Sequence, residues 1–220
     1  MMPEEMIEAG QNALDWLLEH KITVALTVIV VSAVTIVSVH YVNERTREYE
    51  AVWTKIGVLS LDTGVAKFQD QQTRERTYAT VIQQYNTLLE DGAAPKKVRP
   101  WVLFELGNAH YEAGEYEDAI KIYRQFLEDY GGHSMVPFVR QSIGYASEET
   151  GRLDEAIMYF RGNAPADDPE MNAQEKWDIG RCYEKLGRKE DAARSYKEAV
   201  IFAADSQPAK LSRYRLDSIQ

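Results

Sequence analysis

The feature that most constrains the fold is a set of small residues that recur at fixed spacing in three stretches. Each stretch has a glycine, a second glycine seven residues later, an alanine five residues after that and an aromatic residue four residues further on. The first glycines lie 37 and 36 residues apart, so the pattern is an internal repeat. The twelve positions are Gly107, Gly114, Ala119 and Tyr123; Gly144, Gly151, Ala156 and Phe160; and Gly180, Gly187, Ala192 and Tyr196.

Small residues at this spacing predict pairs of antiparallel helices that cross closely. The first glycine and the alanine leave room for the crossing, and the second glycine ends the first helix in a left-handed conformation. The aromatic residue fills the gap to the next unit. One hairpin cannot bury its apolar face, so the units stack. The period is close to the ~34 residues of the tetratricopeptide repeat (TPR), and we predict an all-α TPR superhelix.

A degenerate repeat is predicted before these three. Trp53, Ile56, Gly57 and Gly64 fit its first helix, and Val81, Tyr85 and Leu88 fit its second helix, after an insertion at roughly Val65–Arg74. Gly57 is then the packing glycine of this repeat. The proline- and aspartate-rich Gly162–Met171 is expected to be a loop without helix. The TPR domain is predicted at 44–204, with repeats at about 50–91, 100–133, 137–170 and 173–206, and a capping helix at 207–220 that Pro208 opens.

A second feature is a run without charge from Ile22 to Asn43. As a helix it would be roughly 30 Å long, which matches the hydrocarbon core of a bilayer. A fully apolar run of this length is rare in the core of a small soluble domain. The short segment 1–21 before it is acidic, whereas a cleaved signal peptide carries positive charge there. We therefore predict an uncleaved single-pass transmembrane helix at 22–43.

The cations that flank this run give a weak orientation signal. Lys21 precedes it, and Arg45 and Arg47 follow it closely. The positive-inside rule would place the long C-terminal part in the cytoplasm.

The first helix of each repeat is expected to line a concave groove. Aromatic side chains exposed there indicate a site for an extended or partly unfolded apolar segment of another protein. The alternative is that the C-terminal helix or a loop of the same chain fills the groove. The predicted protein-binding residues are Trp101, Phe104, Asn108, Tyr111, Phe138, Gln141, Tyr145, Glu148, Trp177 and Arg181.

Other functions find little support in the sequence. The net charge of −10 argues against nucleic acid as a partner. The four histidines are scattered, and none forms a metal-spaced pair with another histidine or with Cys182. Cys182 falls where a small buried side chain is needed, and it is interpreted as structural. We predict no catalytic residue, no cofactor, no metal and no small-molecule substrate.

The layout resembles a known bacterial arrangement. The entry segment DWLLEHKITVALTVIVVSAVTIVSVHYVNERTREYEAVWTKI, the three to four repeats directly after it and the tail PAKLSRYRLDSIQ are similar to the YfgM-type ancillary subunit of the Sec translocon. This resemblance implies an inner-membrane protein with a cytoplasmic N-terminus and a periplasmic repeat domain. It also implies association with the Sec channel and a membrane-anchored periplasmic chaperone.

The sequence thus predicts a membrane-anchored protein-interaction module, with partners among membrane-complex subunits, the translocon, chaperones or nascent chains. Two alternatives stay open: a scaffold that assembles another envelope complex, and an import receptor whose repeats face the cytosol.

Overall fold

The computed structural model describes residues 4–90, 94–165 and 167–219. Within these ranges the chain forms ten α-helices and no strand, which confirms the predicted all-α class. The predicted limits at residues 1, 91 and 220 fall outside the described residues. The helices are α1 (Glu4–Glu19), α2 (Lys21–Ala66), α3 (Gln71–Leu89), α4 (Arg99–Glu112), α5 (Tyr116–Asp129), α6 (Val136–Glu149), α7 (Leu153–Phe160), α8 (Pro169–Lys185), α9 (Lys189–Phe202) and α10 (Gln207–Ile219).

The chain divides into two units, Met1–Ala51 and Val52–Gln220. The first unit contains α1 and the first part of α2, whose apolar side chains are exposed; Ile22 and Ile36 are 70% and 68% accessible. An 18-residue window of α2 has a mean hydropathy of 2.6, and none of it is buried within the chain. By its length and composition, α2 could cross a membrane.

In the second unit, three helix pairs are held by an aromatic ring that lies against a glycine. The pairs are α4–α5, α6–α7 and α8–α9. A Cβ atom added to Gly107 would overlap the ring of Tyr123, and one added to Gly144 would overlap the ring of Phe160. Gly180 has the same relation to the ring of Tyr196. The absence of a side chain at these glycines is therefore what lets each pair pack closely.

The second glycine of each repeat ends the first helix, as the spacing predicts. Gly114, Gly151 and Gly187 have φ of 80°, 77° and 73°, a conformation that favours glycine. At the first of these turns, the amide of Glu115 donates to the carbonyl of His110 at 2.9 Å. This six-to-one bond is the Schellman closure of a helix C-terminus.

The first repeat departs from the prediction. α2 continues to Ala66, so Gly57 and Gly64 lie inside a helix, and neither has a positive φ. A Cβ added to Gly57 would meet no heavy atom within 4 Å, so the predicted packing role of this glycine is wrong. In the later repeats this seven-residue interval coincides with a glycine that lies against an aromatic ring. In the first repeat it does not.

The predicted insertion between the helices of this repeat is also wrong. Only residues 67–70 separate α2 from α3. The added length lies instead in α3, which has 19 residues where α5 has 14, and in the connection to α4. α3 contacts α2 through the buried Tyr85, whose hydroxyl donates to the carbonyl of Ile56 at 3.4 Å.

The segment Gly162–Met171 is partly helical, against expectation. Pro169 occupies the first turn of α8, a position that suits proline because the missing amide would have no partner in the helix. Asp168 caps this helix by accepting a hydrogen bond from the amide of Met171 at 2.9 Å. Proline and aspartate thus start a helix here.

The last helix, α10, packs on α9 and α8. Arg215 of α10 forms a salt bridge with Glu184 of α8. The same carboxylate accepts a hydrogen bond from the hydroxyl of Tyr196 at 2.8 Å. This bridge ties α10 to the ring that lies on Gly180.

The glycine–ring contact yields a matched pair of substitutions. Gly144→Ala should lower the free energy of unfolding by about 1–3 kcal/mol, because the methyl group would displace the Phe160 ring. Gly57→Ala should leave it unchanged or raise it by up to ~1 kcal/mol, because alanine favours helix and space is open there. Urea unfolding of the full chain, followed by circular dichroism, measures both. Equal stability of the two variants would contradict the close crossing at Gly144.

Candidate protein-binding face

The predicted groove residues lie on the first helices of the three regular repeats, α4, α6 and α8. Their exposure differs widely. Trp101 and Phe138 are exposed, at 38% and 51%, whereas Glu148 is buried at 5%. The remaining residues are half-buried, namely Phe104, Asn108, Tyr111, Gln141, Tyr145, Trp177 and Arg181. The exposed aromatic surface of this set is therefore concentrated at the N-terminal turns of α4 and α6.

Trp101 has an aromatic neighbour that the sequence did not place on this face. The rings of Trp53 and Trp101 meet edge to face, with centroids 5.5 Å apart, and Trp53 is 42% exposed. Such pairs are stabilised beyond simple area burial. Two indole rings that touch and still face solvent form an apolar anchor point at α2 and α4.

Two residues of α4 are committed to contacts within their own repeat. The hydroxyl of Tyr123 donates to Oδ1 of Asn108 at 2.7 Å. The ring of Tyr111 lies edge to face with that of Tyr116, at 5.3 Å between centroids. Burial raises the pKa of the Tyr111 hydroxyl to about 12. Both side chains thus hold α4 and α5 together, which leaves little of them for a ligand.

A network of polar side chains joins α6 to α8, and we name it the α6–α8 ladder. At its centre is Asp178, which is 1% exposed and accepts hydrogen bonds from Tyr145 at 3.0 Å and Gln174 at 3.1 Å. Arg181 donates to Asp178 at 3.0 Å and to Glu148 at 2.8 Å. Four of the predicted contact residues, Gln141, Tyr145, Glu148 and Arg181, belong to this ladder.

The ladder places carboxylates where water is scarce. Burial raises the pKa of Asp178 above its ordinary value, although the Arg181 guanidinium acts in the opposite direction. Burial also raises the pKa of the neighbouring Cys182 thiol to about 12, and the Glu148 carboxylate adds to this. A buried thiol with a raised pKa is protonated at neutral pH, which fits a structural role for Cys182.

Two cavities open beside the ladder. The larger has a volume of about 450 Å³ and is lined by Trp177, Arg181, Lys185 and Arg215 together with Glu148, Glu149 and Glu184. The smaller, of about 110 Å³, lies below Phe138 and is lined by Phe160, Met171, Gln174 and Glu175 among others. Charged groups of both signs around an indole ring suit a peptide with mixed polar and apolar side chains.

One cluster elsewhere has the ligand types of a metal site. Ligand atoms of His110, Glu115 and Asp118 lie within 4.8 Å of one another. His110 Nδ1 already makes a hydrogen bond of 2.7 Å with Glu115. Glu115 and Asp118 are exposed at the N-terminus of α5, where carboxylates are favoured by the helix dipole. The His110–Glu115 hydrogen bond and the helix dipole account for this cluster.

Removing the Arg181 cation from the ladder should lower the free energy of unfolding by an amount that depends on pH. Arg181→Met should lower the free energy of unfolding at pH 7 by about 2 kcal/mol, less than the 3–5 kcal/mol of fully buried pairs, because Arg181 is 31% exposed. The variant leaves Asp178 without this partner, so the folded-state pKa of Asp178 rises further. A raised carboxylate pKa means that stability falls as pH increases through the folded-state value.

The loss in free energy of unfolding caused by Arg181→Met should therefore become smaller as the pH falls toward 3.8, the ordinary pKa of aspartate. Arg194→Met is the matched control, because Arg194 is 71% exposed in its pair with Asp191 and its removal should cost little at any pH. Urea unfolding between pH 4 and 7 measures the difference. A deficit that does not change with pH would show that Arg181 contributes by packing alone.

Comparisons with known proteins identify the type of repeat in part of the chain. Two tetratricopeptide-repeat family models match the chain, one at residues 104–170 and one at residues 176–200. A search of curated protein sequences gave no match.

Solved structures with a similar fold are distant in sequence. A kinesin light chain with nearly identical TPR-like repeats from Podosopora anserina has a TM-score of 0.57 and 14% identity, over 77% of this chain and 84% of its own. A MamA RS-1 double mutant has a TM-score of 0.51 and 14% identity, over 73% of this chain and 88% of its own. PcrH, solved in complex with the chaperone binding region of PopD, has a TM-score of 0.49 and 19% identity, over 57% of this chain and 94% of its own.

The family matches cover the segments in which aromatic rings lie on glycines. The fold of these helices is similar to that of the kinesin light chain repeats and of the MamA double mutant. Residues 104–170 and 176–200 accordingly contain tetratricopeptide repeats.

Proposed function

We propose that this chain is a membrane-anchored protein-interaction module that binds extended segments of other proteins and serves as an accessory of the Sec translocon or of the periplasmic chaperone network. The TPR fold typically serves as an interaction scaffold rather than a catalytic one. The single observation that carries the proposal is the exposed aromatic surface of Trp53, Trp101 and Phe138 on a repeat domain. This surface lies on the same chain as the apolar window of α2, none of which is buried by the described residues.

The exposure of α2 supports a membrane anchor. A core helix of a soluble protein has its apolar window mostly buried, whereas this window is fully exposed. Val37 and Val42, near the end of the apolar run, are 67% and 58% accessible. Exposing side chains of this size to water is costly, and a bilayer removes the cost.

The aromatic surface supports a protein ligand. Trp53, Trp101 and Phe138 offer rigid apolar area at low entropic cost, which is why such residues dominate protein interfaces. The two cavities beside the ladder offer charged groups of both signs for the polar parts of a ligand. An extended segment could then place an apolar side chain on the indole pair and a polar one near Arg215.

The Sec-accessory and periplasmic part of the proposal rests on the layout of the chain. An anchor near the start, followed at once by repeats and a short closing helix, is the arrangement of the YfgM-type subunits. The proposed orientation has the N-terminus in the cytoplasm and the repeats in the periplasm. Arg45 and Arg47 favour the reverse orientation, so topology is the point to test first.

The orientation leads to a clear prediction. The full chain expressed in a bacterium should remain with the membranes after alkaline carbonate extraction. Alkaline phosphatase fused after Gln220 should be active, because this enzyme needs an oxidising compartment, and a green fluorescent protein fused there should be dark. The opposite pair of readouts would place the repeats in the cytoplasm, as in an import receptor. If carbonate releases the chain from the membranes, the proposed membrane anchor is contradicted.

The binding face leads to a second prediction. A photoreactive phenylalanine analogue in place of Phe138 should crosslink to secretory nascent chains or to Sec subunits in cells. The same analogue at Met158, which is 56% exposed on α7, is the matched control and should give no such product. A single stable partner of a different kind would support the assembly scaffold instead. Equal products from both positions would show that Phe138 is not part of a binding face.

A further inference from the structure

A carboxylate in the middle of α4 lacks the cation that its counterpart in α8 has. Counted from the glycine under the aromatic ring of each repeat, Glu105 of α4 corresponds to Asp178 of α8. Three residues later α8 has Arg181, which donates to Asp178 at 3.0 Å, whereas α4 has the neutral Asn108. The same position of the repeat therefore carries a neutralised acid in α8 and an acid without a basic neighbour in α4.

Glu105 is half-buried and has little compensation for its charge. Nδ2 of Asn108 donates to Oε2 of Glu105 at 3.5 Å, which is long for a hydrogen bond. In the described part of the chain, no basic side chain forms a salt bridge with this carboxylate. Burial raises the pKa of the Glu105 carboxyl, because the charged form is poorly solvated there. A cation from outside the chain would stabilise that form.

α2 and α4 lie side by side and run in the same direction. The rings of Trp53 and Trp101 join them, with centroids 5.5 Å apart. Further along both helices, Lys67, which directly follows α2, forms a salt bridge of 2.8 Å with Glu112 at the end of α4. Two contacts in this order require a parallel arrangement. Residues one turn after each tryptophan therefore lie level with each other.

One turn after the two tryptophans, α2 carries Gly57 and α4 carries Glu105. Each lies four residues after its tryptophan, and side chains with this spacing share a face of a helix. A Cβ atom added to Gly57 would meet no heavy atom within 4 Å, so space is open beside α2 at this level. We name Trp53, Gly57, Trp101 and Glu105 the indole–carboxylate site.

The indole–carboxylate site has the chemistry that recognises a basic side chain. Among aromatic rings, indole attracts an ammonium or guanidinium group most strongly. Lysine and arginine also have an apolar methylene stem, which can lie on the exposed parts of Trp53 and Trp101 while the charged head reaches Glu105. An acidic side chain would be repelled there. The net charge of −10 also attracts basic segments toward the chain.

We propose that the indole–carboxylate site binds a lysine or arginine side chain of the extended protein segment. This inference rests on the proposed function, and it assigns the apolar contact at the indole pair to the methylene stem of the basic residue. The ligand is then a segment with a basic residue at the position that meets α2 and α4.

Three fluorescent peptides test the proposal. They share a sequence of alternating serine and leucine and differ at one central position, which is lysine, norleucine or glutamate. Norleucine keeps an apolar stem without the ammonium group. Fluorescence anisotropy with the full chain in phosphatidylcholine nanodiscs measures each Kd, and empty nanodiscs give the background. The lysine peptide should bind about fivefold more tightly than the norleucine peptide, as expected for a partly exposed cation contact. The glutamate peptide should bind most weakly.

A substitution at the carboxylate locates the preference. Glu105→Gln keeps the shape of the side chain and removes its charge, so the lysine peptide should bind about fivefold more weakly while the norleucine peptide is unaffected. Glu128→Gln is the matched control, because it removes an exposed carboxylate of α5 and changes the net charge equally. Equal losses in both variants would show a general electrostatic attraction and would overturn the site.

Gly57 offers a variant that the fold should tolerate. Gly57→Lys places an ammonium group in the open space beside Glu105 and should abolish the preference for lysine over norleucine. Gly64→Lys is the matched control, because a Cβ there also meets no heavy atom within 4 Å and the site lies about two turns away. This control should keep the preference. Thermal unfolding followed by circular dichroism should show that neither variant is less stable than the parent chain.

The outcomes separate this inference from the proposed function. If the lysine and norleucine peptides bind equally, recognition of a basic side chain is overturned, while binding of extended segments stands. If the preference persists in both Glu105→Gln and Gly57→Lys, the basic side chain binds elsewhere and the inference fails. If none of the three peptides binds, the proposed function fails and the inference fails with it.

Discussion

The repeat domain depends on one contact, an aromatic ring of a second helix that lies on a glycine of the first. At Gly107, Gly144 and Gly180 the ring occupies the place of a missing side chain. Each ring is at most 1% exposed, so the contact is also the centre of its hydrophobic core. Because dispersion and apolar burial act over short distances, even one added methyl group disturbs this arrangement. The exposed residues of α4 and α6 keep their spacing because the helices behind them cannot shift.

The sequence was informative where one residue type has one physical reason to be present. Gly114, Gly151 and Gly187 each end a helix, and their positive φ explains why no other residue serves as well. Gly57 and Gly64 have the same interval but lie within α2, because an apolar helix that begins at Lys21 continues through them. Spacing alone could not distinguish a glycine under a ring from a glycine beside open space.

The polar residues of the candidate face were harder to predict. Tyr145, Glu148 and Arg181 were expected to face a ligand. In the structure, Tyr145 donates a hydrogen bond to Asp178, and Arg181 donates to both Asp178 and Glu148 across two repeats. Asp178, at the centre, was not singled out, since a carboxylate on a helix is usually exposed. Its burial depends on partners 33 and 37 residues earlier in the chain, Tyr145 and Gln141, and no local pattern reports such pairing. Trp101 and Phe138, which are predicted members of the face, are exposed.

The α6–α8 ladder has a consequence for the thermodynamics of recognition. Side chains that are already fixed by hydrogen bonds lose little rotamer freedom when a ligand arrives. A peptide that spans α6 and α8 would therefore contact side chains that had already lost their conformational entropy when the protein folded. Most of the entropy lost on association would be that of the peptide, and affinity along this stretch would depend on how extended the peptide is before it binds.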